Sequence, residues 1–413
     1  MTADVDVVIV GGGAAGIGAA RRLAQSNVSA ILLEASPRLG GRAWTQQLAG
    51  HHLDLGCEWF HSAERNAWVR IAEAQGIPID QSVAQWGTQY RDLGFSKADR
   101  AEAWQAFATW TQRMQDTTTR SDCAADALLP ECPWNNYIRT IVGFISGGSL
   151  ENMSSADYLA YDDASSDNNW RAPSGYGALV AGSVPKQVSV RLDTPVESIT
   201  LDANGVKIQT PAGVLRSHAA IMTVSTAVLA GDTMRLPAGL ASWRDAALKL
   251  PLGRNEKLFL EITGDAPFVT ETQLLGDPRN VLTGSYYIRP LGAPVIECFF
   301  GGEGAQVLEA EGSKAGFDFA LGQLSALFGS EVRSALRPLT ASNWSEMNRI
   351  GGAYSYALPG HAAARTALAR PFEDTLFFAG EATSARDFST AHGAHDSGVR
   401  AAGEVISALT ANS

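Results

Sequence analysis

An α/β fold of about two domains is what three features of this 413-residue sequence predict. The first 34 residues read strand, glycine turn, helix, strand. A stretch after residue 188 alternates apolar and polar residues about Asn204-Gly205. Near the end, an apolar strand runs into a helix dense in Gly, Ala, Ser and Thr. Hydrophobic residues make up 45% and charged residues 18%, enough apolar material for two packed domains and too little charge for disorder.

A net charge of −11 argues against a nucleic-acid surface and permits a cationic small molecule as substrate. The four cysteines, Cys57, Cys123, Cys132 and Cys298, form no CxxC pair, so neither a disulfide framework nor a zinc site is expected. An apolar strand begins at Val5, Arg21-Arg22 falls inside the first helix pattern, and no run of 18 uncharged apolar residues exists. The expectation is a cytoplasmic protein that does not enter membranes.

The opening segment is expected to form a buried parallel strand (Val5 to Val10), an amphipathic helix (Ala14 to Gln25) and a second strand (Ala30 to Glu34). Gly11, Gly13 and Gly16 have the GxGxxG spacing, here in the strand–turn–helix context that gives it meaning. Gly11 permits the tight turn, Gly13 admits a pyrophosphate to the backbone, and Gly16 lets helix and strand approach. The helix start, with Ala14 and Ala15 behind the turn, offers N–H groups to the phosphates. Glu34, followed by Ala35, ends the second strand where a carboxylate accepts ribose hydroxyls. A Rossmann-like dinucleotide site follows. Arg38, Gly40, Gly41 and Arg42 come next, placed to grip the pyrophosphate from a second side.

"SPRLGGRAWT" is where the chain begins to resemble the flavin-containing amine oxidase family, which carries an RxGGR segment there. Four further segments extend the resemblance over essentially the whole chain. In "LDLGCEWFHSAERN", it implies that Gly56, Cys57, Glu58 and Trp59 line the flavin ring and ribityl chain, and that His61 faces the substrate, as in the polyamine-oxidase branch. In "TPVESI", it implies that the Val196 backbone meets the adenine. In "LGRNEKLFLEI", Lys257 interrupts an apolar strand, and a buried lysine is unfavourable unless paired or functional. The resemblance gives Lys257 a water beside flavin N5. In "WSEMNRIGGAYSY", it pairs Trp344 with that lysine and makes Tyr354 an aromatic wall of the substrate site. Ala353 stands where some members carry a flavin-bonding cysteine, so the FAD is expected to be non-covalent.

The last segment, "GEATSARDFSTAHGAHDSGVRAAGE", holds His392 and His395 without a third or fourth ligand, so no metal is expected. Gly380 and Glu381 end a strand where open sheets place ligands. The helix starting near Thr390 and Ala391 is expected to aim N–H groups at the flavin pyrimidine edge, with small side chains facing the ring. Monoamine oxidases carry a second tyrosine where this chain has Thr390, and "STAHGA" is similar instead to the polyamine-oxidase and histone-demethylase branch.

The resemblance therefore implies a glutathione-reductase-type FAD domain from residues 1–80, 185–245 and 360–413. A discontinuous substrate domain would take 81–184 and 246–359. It implies hydride transfer from a primary or secondary, polyamine-like amine to flavin N5. Imine hydrolysis and reoxidation by O2 to hydrogen peroxide would follow. A flavin L-amino-acid oxidase or desaturase, and a non-catalytic FAD-bound module, remain as alternatives.

Overall fold

The computed structural model describes residues 3–117, 120–264 and 266–411. The chain divides into two compact units. Unit 1 comprises Met1–Ser82, Ala160–Pro251 and Met347–Ser413; unit 2 comprises Val83–Leu159 and Leu252–Glu346.

Unit 1 is built on an α/β sheet. β1 (Val5–Val10) lies between β2 (Ala30–Leu33) and β3 (Gly213–Met222), both parallel to it. Strands Ser189–Arg191 and Leu376–Phe378 extend the parallel set beside β2 and β3. All of β1 after Asp6 is buried, as expected for a strand covered on both faces. β3 also pairs antiparallel with Gly205–Thr210, which pairs with Ser198–Asp202. The expected hairpin turn is present one residue earlier than the Asn-Gly pair suggests. Asp202 pairs with Gly205, so Ala203 and Asn204 form the turn and Gly205 takes φ 119° in the strand that follows.

α1 (Ala14–Leu23) packs along the C-terminal helix Ala391–Ala411 at backbone distance. A Cβ on Gly398 would lie 1.9 Å from the Ala15 carbonyl oxygen, and one on Gly18 would lie 2.4 Å from that of His395. Much of the small-residue character of the C-terminal helix is thus demanded by α1.

Segments 160–184 and 347–359 pack in unit 1, although the sequence reading placed them in the substrate domain. Short contacts outside any periodic pattern hold them there. Strand Trp170–Arg171 pairs with Trp59–Phe60, and Arg171 bonds Asp80 at 2.6 Å. The Asp54 carboxylate accepts from the N–H groups of Tyr176 and Gly177.

Unit 2 contains a five-stranded antiparallel sheet. Its strand β4 (Asn255–Ile262) runs between β5 (Val295–Gly301) and Leu336–Ala341, with Ser285–Ile288 and Thr272–Leu275 beyond β5. One face carries Leu258, Leu260, Cys298 and Phe300 into a core with α2 (Glu303–Glu311) and helix Ser313–Phe328. Strand alternation sends Lys257, Phe259, Glu297 and Phe299 to the other face. Helices Lys97–Thr117, Asn135–Ser146 and Ser155–Ala164 precede that sheet in the chain, and the unit boundary falls inside the last of them.

Candidate functional site

The glycine turn between β1 and α1 brings backbone where side chains would otherwise stand. Gly13 is the N-cap of α1, no side chain caps the helix, and no acid occupies its first turn. The N–H groups of Ala14, Ala15 and Gly16 are therefore presented at the positive end of the helix dipole. A Cβ on Gly16 would lie 1.9 Å from the Gly11 carbonyl oxygen, so only glycine fits. Gly13 has no atom nearer than 3.9 Å to such a Cβ, and its neighbours there are Gly40 and Gly41. The Gly40 N–H donates to the Gly12 carbonyl at 2.8 Å, which lays the second glycine pair against the first.

Glu34 stands just past β2, 8% exposed, and accepts from the Gly12 N–H at 2.7 Å and the Ser36 N–H at 2.8 Å. The Ser36 hydroxyl donates to it as well, and since a carboxylate has about four lone-pair sites, room for a further hydroxyl is left. Ala35 links Glu34 to Ser36. The Thr194 N–H donates to the Glu34 carbonyl at 2.8 Å, which brings the chain around Val196 to this strand end.

Arg38 stacks over Trp44 at 4.3 Å and donates to the Gly41 carbonyl at 2.8 Å. Arg42 donates to the carbonyl of Ala353 and to Glu381 at 3.0 Å. The Cys57 N–H donates to the Arg42 carbonyl at 3.3 Å, so Gly56, Cys57 and Glu58 follow the same backbone, and Arg171 lies over Trp59 at 4.8 Å. Gly351 and Gly352 form a left-handed turn with φ 84° and 150° before Ala353 and half-buried Tyr354.

Glu381 follows Gly380 and is 5% exposed. Burial opposes its ionisation. Arg42 and Arg365, with donors from Ser355 and Ser389, more than offset this and hold the carboxyl below its usual range. Arg365 is 1% exposed, sits 3.5 Å over the Phe388 ring and donates to Ser355. Thr390 caps the C-terminal helix: its hydroxyl accepts from the Gly393 N–H at 3.0 Å. The Ala391 carbonyl accepts from Trp68 Nε1.

His61 bonds Asn169 Oδ1 through Nδ1 at 2.7 Å, and the Asn169 amide nitrogen donates to the Asp167 carbonyl at 3.1 Å. That orientation of the amide assigns the proton to Nδ1 of His61. Burial, with His392 nearby, pushes His61 down to about 4 despite the Asn169 bond, so the ring is neutral at pH 7. His392 and His395 bond Asp387 and Asp396, and no three His, Cys, Asp or Glu side chains among the described residues are grouped to hold a metal.

In unit 2, Lys257 is 7% exposed on a central strand, and its ammonium pairs with Glu297 at 2.9 Å. The pair is a diagonal one across β4 and β5, on the face away from the helices. Ser342 Oγ accepts from the Lys257 N–H at 2.8 Å, and Ser342 N–H donates to the Lys257 carbonyl at 2.9 Å. The Trp344 N–H donates to Glu256 at 2.8 Å. Lys257 and Trp344 are thus joined through Ser342 and Glu256 within unit 2, while His61, Tyr354 and the cradle residues lie in unit 1.

Sequence reasoning missed Asn169, Arg365, Glu297 and Glu256. For Glu297 a signal existed: it is the one charged residue in the apolar strand "VIECFF". Asn169 and Arg365 sit in loop-like stretches with no pattern to mark them.

A model of the family described as flavin containing amine oxidoreductase matches residues 14–92 and 111–406. Polyamine oxidase 2 of Arabidopsis thaliana is 26% identical over 438 aligned positions, covering 97% of this chain and 88% of the relative. Polyamine oxidase 3 of Oryza sativa subsp. japonica is 27% identical over 434, covering 96% and 88%. A wild-type putrescine oxidase solved with putrescine has the same fold, with a TM-score of 0.76 at 16% identity over 98% of this chain and 99% of that one.

Proposed function

The chain belongs to the flavin-containing amine oxidoreductases and is an FAD-dependent enzyme that oxidises amines, and on that premise we propose that its substrate is a long, polyamine-like amine. Three considerations support the substrate class. Curated relatives that align over nearly the whole chain are named polyamine oxidases. By the resemblance, Thr390 takes the place of a second cage tyrosine that would narrow the site. The chain carries an acidic balance of −11.

The observation that carries the cofactor assignment is the cradle: an uncapped helix start facing Gly40-Gly41, with a buried acceptor carboxylate at the end of β2. A phosphate on the α1 N–H groups and a ribose on Glu34 fit these donors and acceptors. The parallel strands with an attached antiparallel hairpin support the glutathione-reductase type of FAD domain. The remaining cofactor contacts expected from sequence, from Arg38 through Trp59 and from Gly380 through Ala391, are proposed on the same footing.

The bound flavin supplies the two-electron acceptor for the amine α C–H. The protein's part is to bind, orient and dehydrate. His61 is proposed to meet the substrate as a neutral imidazole, since Asn169 takes its Nδ1–H and directs Nε2 to act as acceptor. Tyr354 is proposed as an aromatic wall. Lys257, with Trp344, is proposed to serve flavin turnover, with Glu297 paired to its side chain at 2.9 Å. An apolar surround favours the uncharged amine that the reaction requires, so oxidation of the amine, the first half of the activity, should quicken towards alkaline pH.

The test is peroxide release from the purified flavoprotein with matched panels of polyamines, short monoamines and amino acids. Polyamines are expected to give the highest kcat/KM. Preference for an α-amino acid would replace this reading with the amino-acid oxidase one. Flavin reduction without peroxide would remove O2 as acceptor.

A further inference from the structure

β4 carries two buried charged side chains in succession, and only Lys257 has so far been given a role. Glu256 points the other way, into the helix-covered face, and is 3% exposed. Its two carboxyl oxygens accept from Ser342 Oγ and from the Trp344 N–H. The Glu309 carboxylate, on α2, lies against it at hydrogen-bond range. Arg254 pairs with Glu309 Oε2. Glu309 Oε1 is buried and has no donor among the described residues.

Two ionised carboxylates in contact inside a core repel, and an acceptor left without a donor there is unfavourable. One proton removes both difficulties. If Glu256 is the acid, it donates to Glu309 Oε1, Arg254 balances the charge on Glu309, and every oxygen of the pair is satisfied. Ser342 also bonds both backbone groups of Lys257. The pair therefore anchors, from behind the sheet, the segment that connects Lys257 to Trp344.

We propose that Glu256 and Glu309 share one proton at neutral pH, and that this acid–carboxylate pair positions the Ser342–Trp344 segment behind Lys257. Glu256 is a positioning residue; it does not touch the reacting atoms. The positioning part rests on the turnover role proposed for Lys257 and Trp344, whereas the shared proton does not. The charged groups around Glu256 are Glu309 and, through it, Arg254; Lys257 and Glu297 lie across the sheet.

Burial, reinforced by Glu309 and opposed by the Ser342 and Trp344 bonds, pushes Glu256 up to about 8. The sign follows. Below the unfolded carboxyl value both states are protonated. As pH rises towards 8 the unfolded chain loses this proton while the fold retains it, so stability is lost across that window and levels off above it.

The experiment compares the flavin-loaded wild type with Glu256→Gln, whose amide oxygen accepts from the Trp344 N–H and whose amide nitrogen donates to Glu309 and to a turned Ser342 hydroxyl at every pH. Thermal melts from pH 5 to 9 should show the Tm of Glu256→Gln gaining on wild type up to about pH 8 and then holding level. An infrared carboxylic-acid band present in wild type at pH 7 should vanish in the variant. A pH-independent Tm difference together with an unchanged infrared band overturns the shared proton. Stopped-flow reoxidation should fall up to about tenfold between pH 7 and 9 in wild type, and less in Glu256→Gln. Identical reoxidation profiles, with the Tm and infrared differences intact, overturn positioning alone. A wild type that binds no flavin sinks the functional reading, while melts and infrared still decide the proton.

Discussion

Unit 1 and unit 2 prepare their candidate sites by opposite means. Around the β1–α1 turn of unit 1, side chains have been removed: Gly11, Gly13, Gly16, Gly40 and Gly41 let main-chain groups do the work, and the helix start is left uncapped. Along β4 of unit 2, charged side chains have been added to a core: Glu256, Lys257, Glu297 and Glu309, each held by a partner. Shape sets the first region, where one extra carbon at Gly16 or Gly40 would run into a main-chain oxygen. Charge balance sets the second, where neutral substitutes for both members of a pair should be tolerated structurally and fail only in function.

The sharpest way to break that contrast is a methyl-scale change in unit 1. Gly16→Val puts carbon where the Gly11 carbonyl oxygen already lies 1.9 Å away, a main-chain atom that cannot yield cheaply. Soluble protein carrying flavin after gel filtration should be lost altogether; wild-type flavin content would refute the steric account. The next effect belongs to unit 2. Lys257→Met should retain flavin, slow its turnover by about a hundredfold or more, and destabilise the protein by about 3–5 kcal/mol because the buried Glu297 carboxylate loses its ammonium partner. Adding Glu297→Gln should recover stability, measured by denaturant melts, without recovering turnover. Recovery of both would make Lys257 a structural residue only.

The two regions also differ in how far sequence discloses them. Strand, turn, helix and terminal acid are local, so Gly11 to Glu34 is legible residue by residue. So is the lysine within an apolar run, and the structure places Lys257 buried on a central strand rather than exposed at an edge. What sequence does not disclose is pairing at long range. Glu297 lies 40 positions from Lys257, Glu309 lies 53 from Glu256, and Asn169 lies 108 from His61. The small residues after Thr390 suggested a seat for a flat ring. The structure adds a second demand, since Gly398 meets the α1 backbone and Gly393 the Asp387 carbonyl. Composition alone cannot separate two requirements that both call for glycine.

The smallest expected effect tests whether charge can be brought into unit 1 as it is managed in unit 2. Asn169 holds His61 Nδ1 with a neutral amide, and burial keeps the ring uncharged, with its titration down at about 4. In wild type the profile of kcat/KM against pH should therefore show no limb from this histidine between pH 5 and 8. Asn169→Asp places a carboxylate at the same distance, which favours the imidazolium and should raise the titration by about 1–2 units. Since the neutral ring is the one proposed to accept a hydrogen bond from substrate, kcat/KM at pH 5.5 should fall by up to about fourfold, relative to its value at pH 8. Saturating kcat should change less, because the ring binds rather than reacts. If the variant's profile overlays that of wild type, His61 either is not held through Asn169 or does not meet the amine, and an NMR titration of the ring decides between the two.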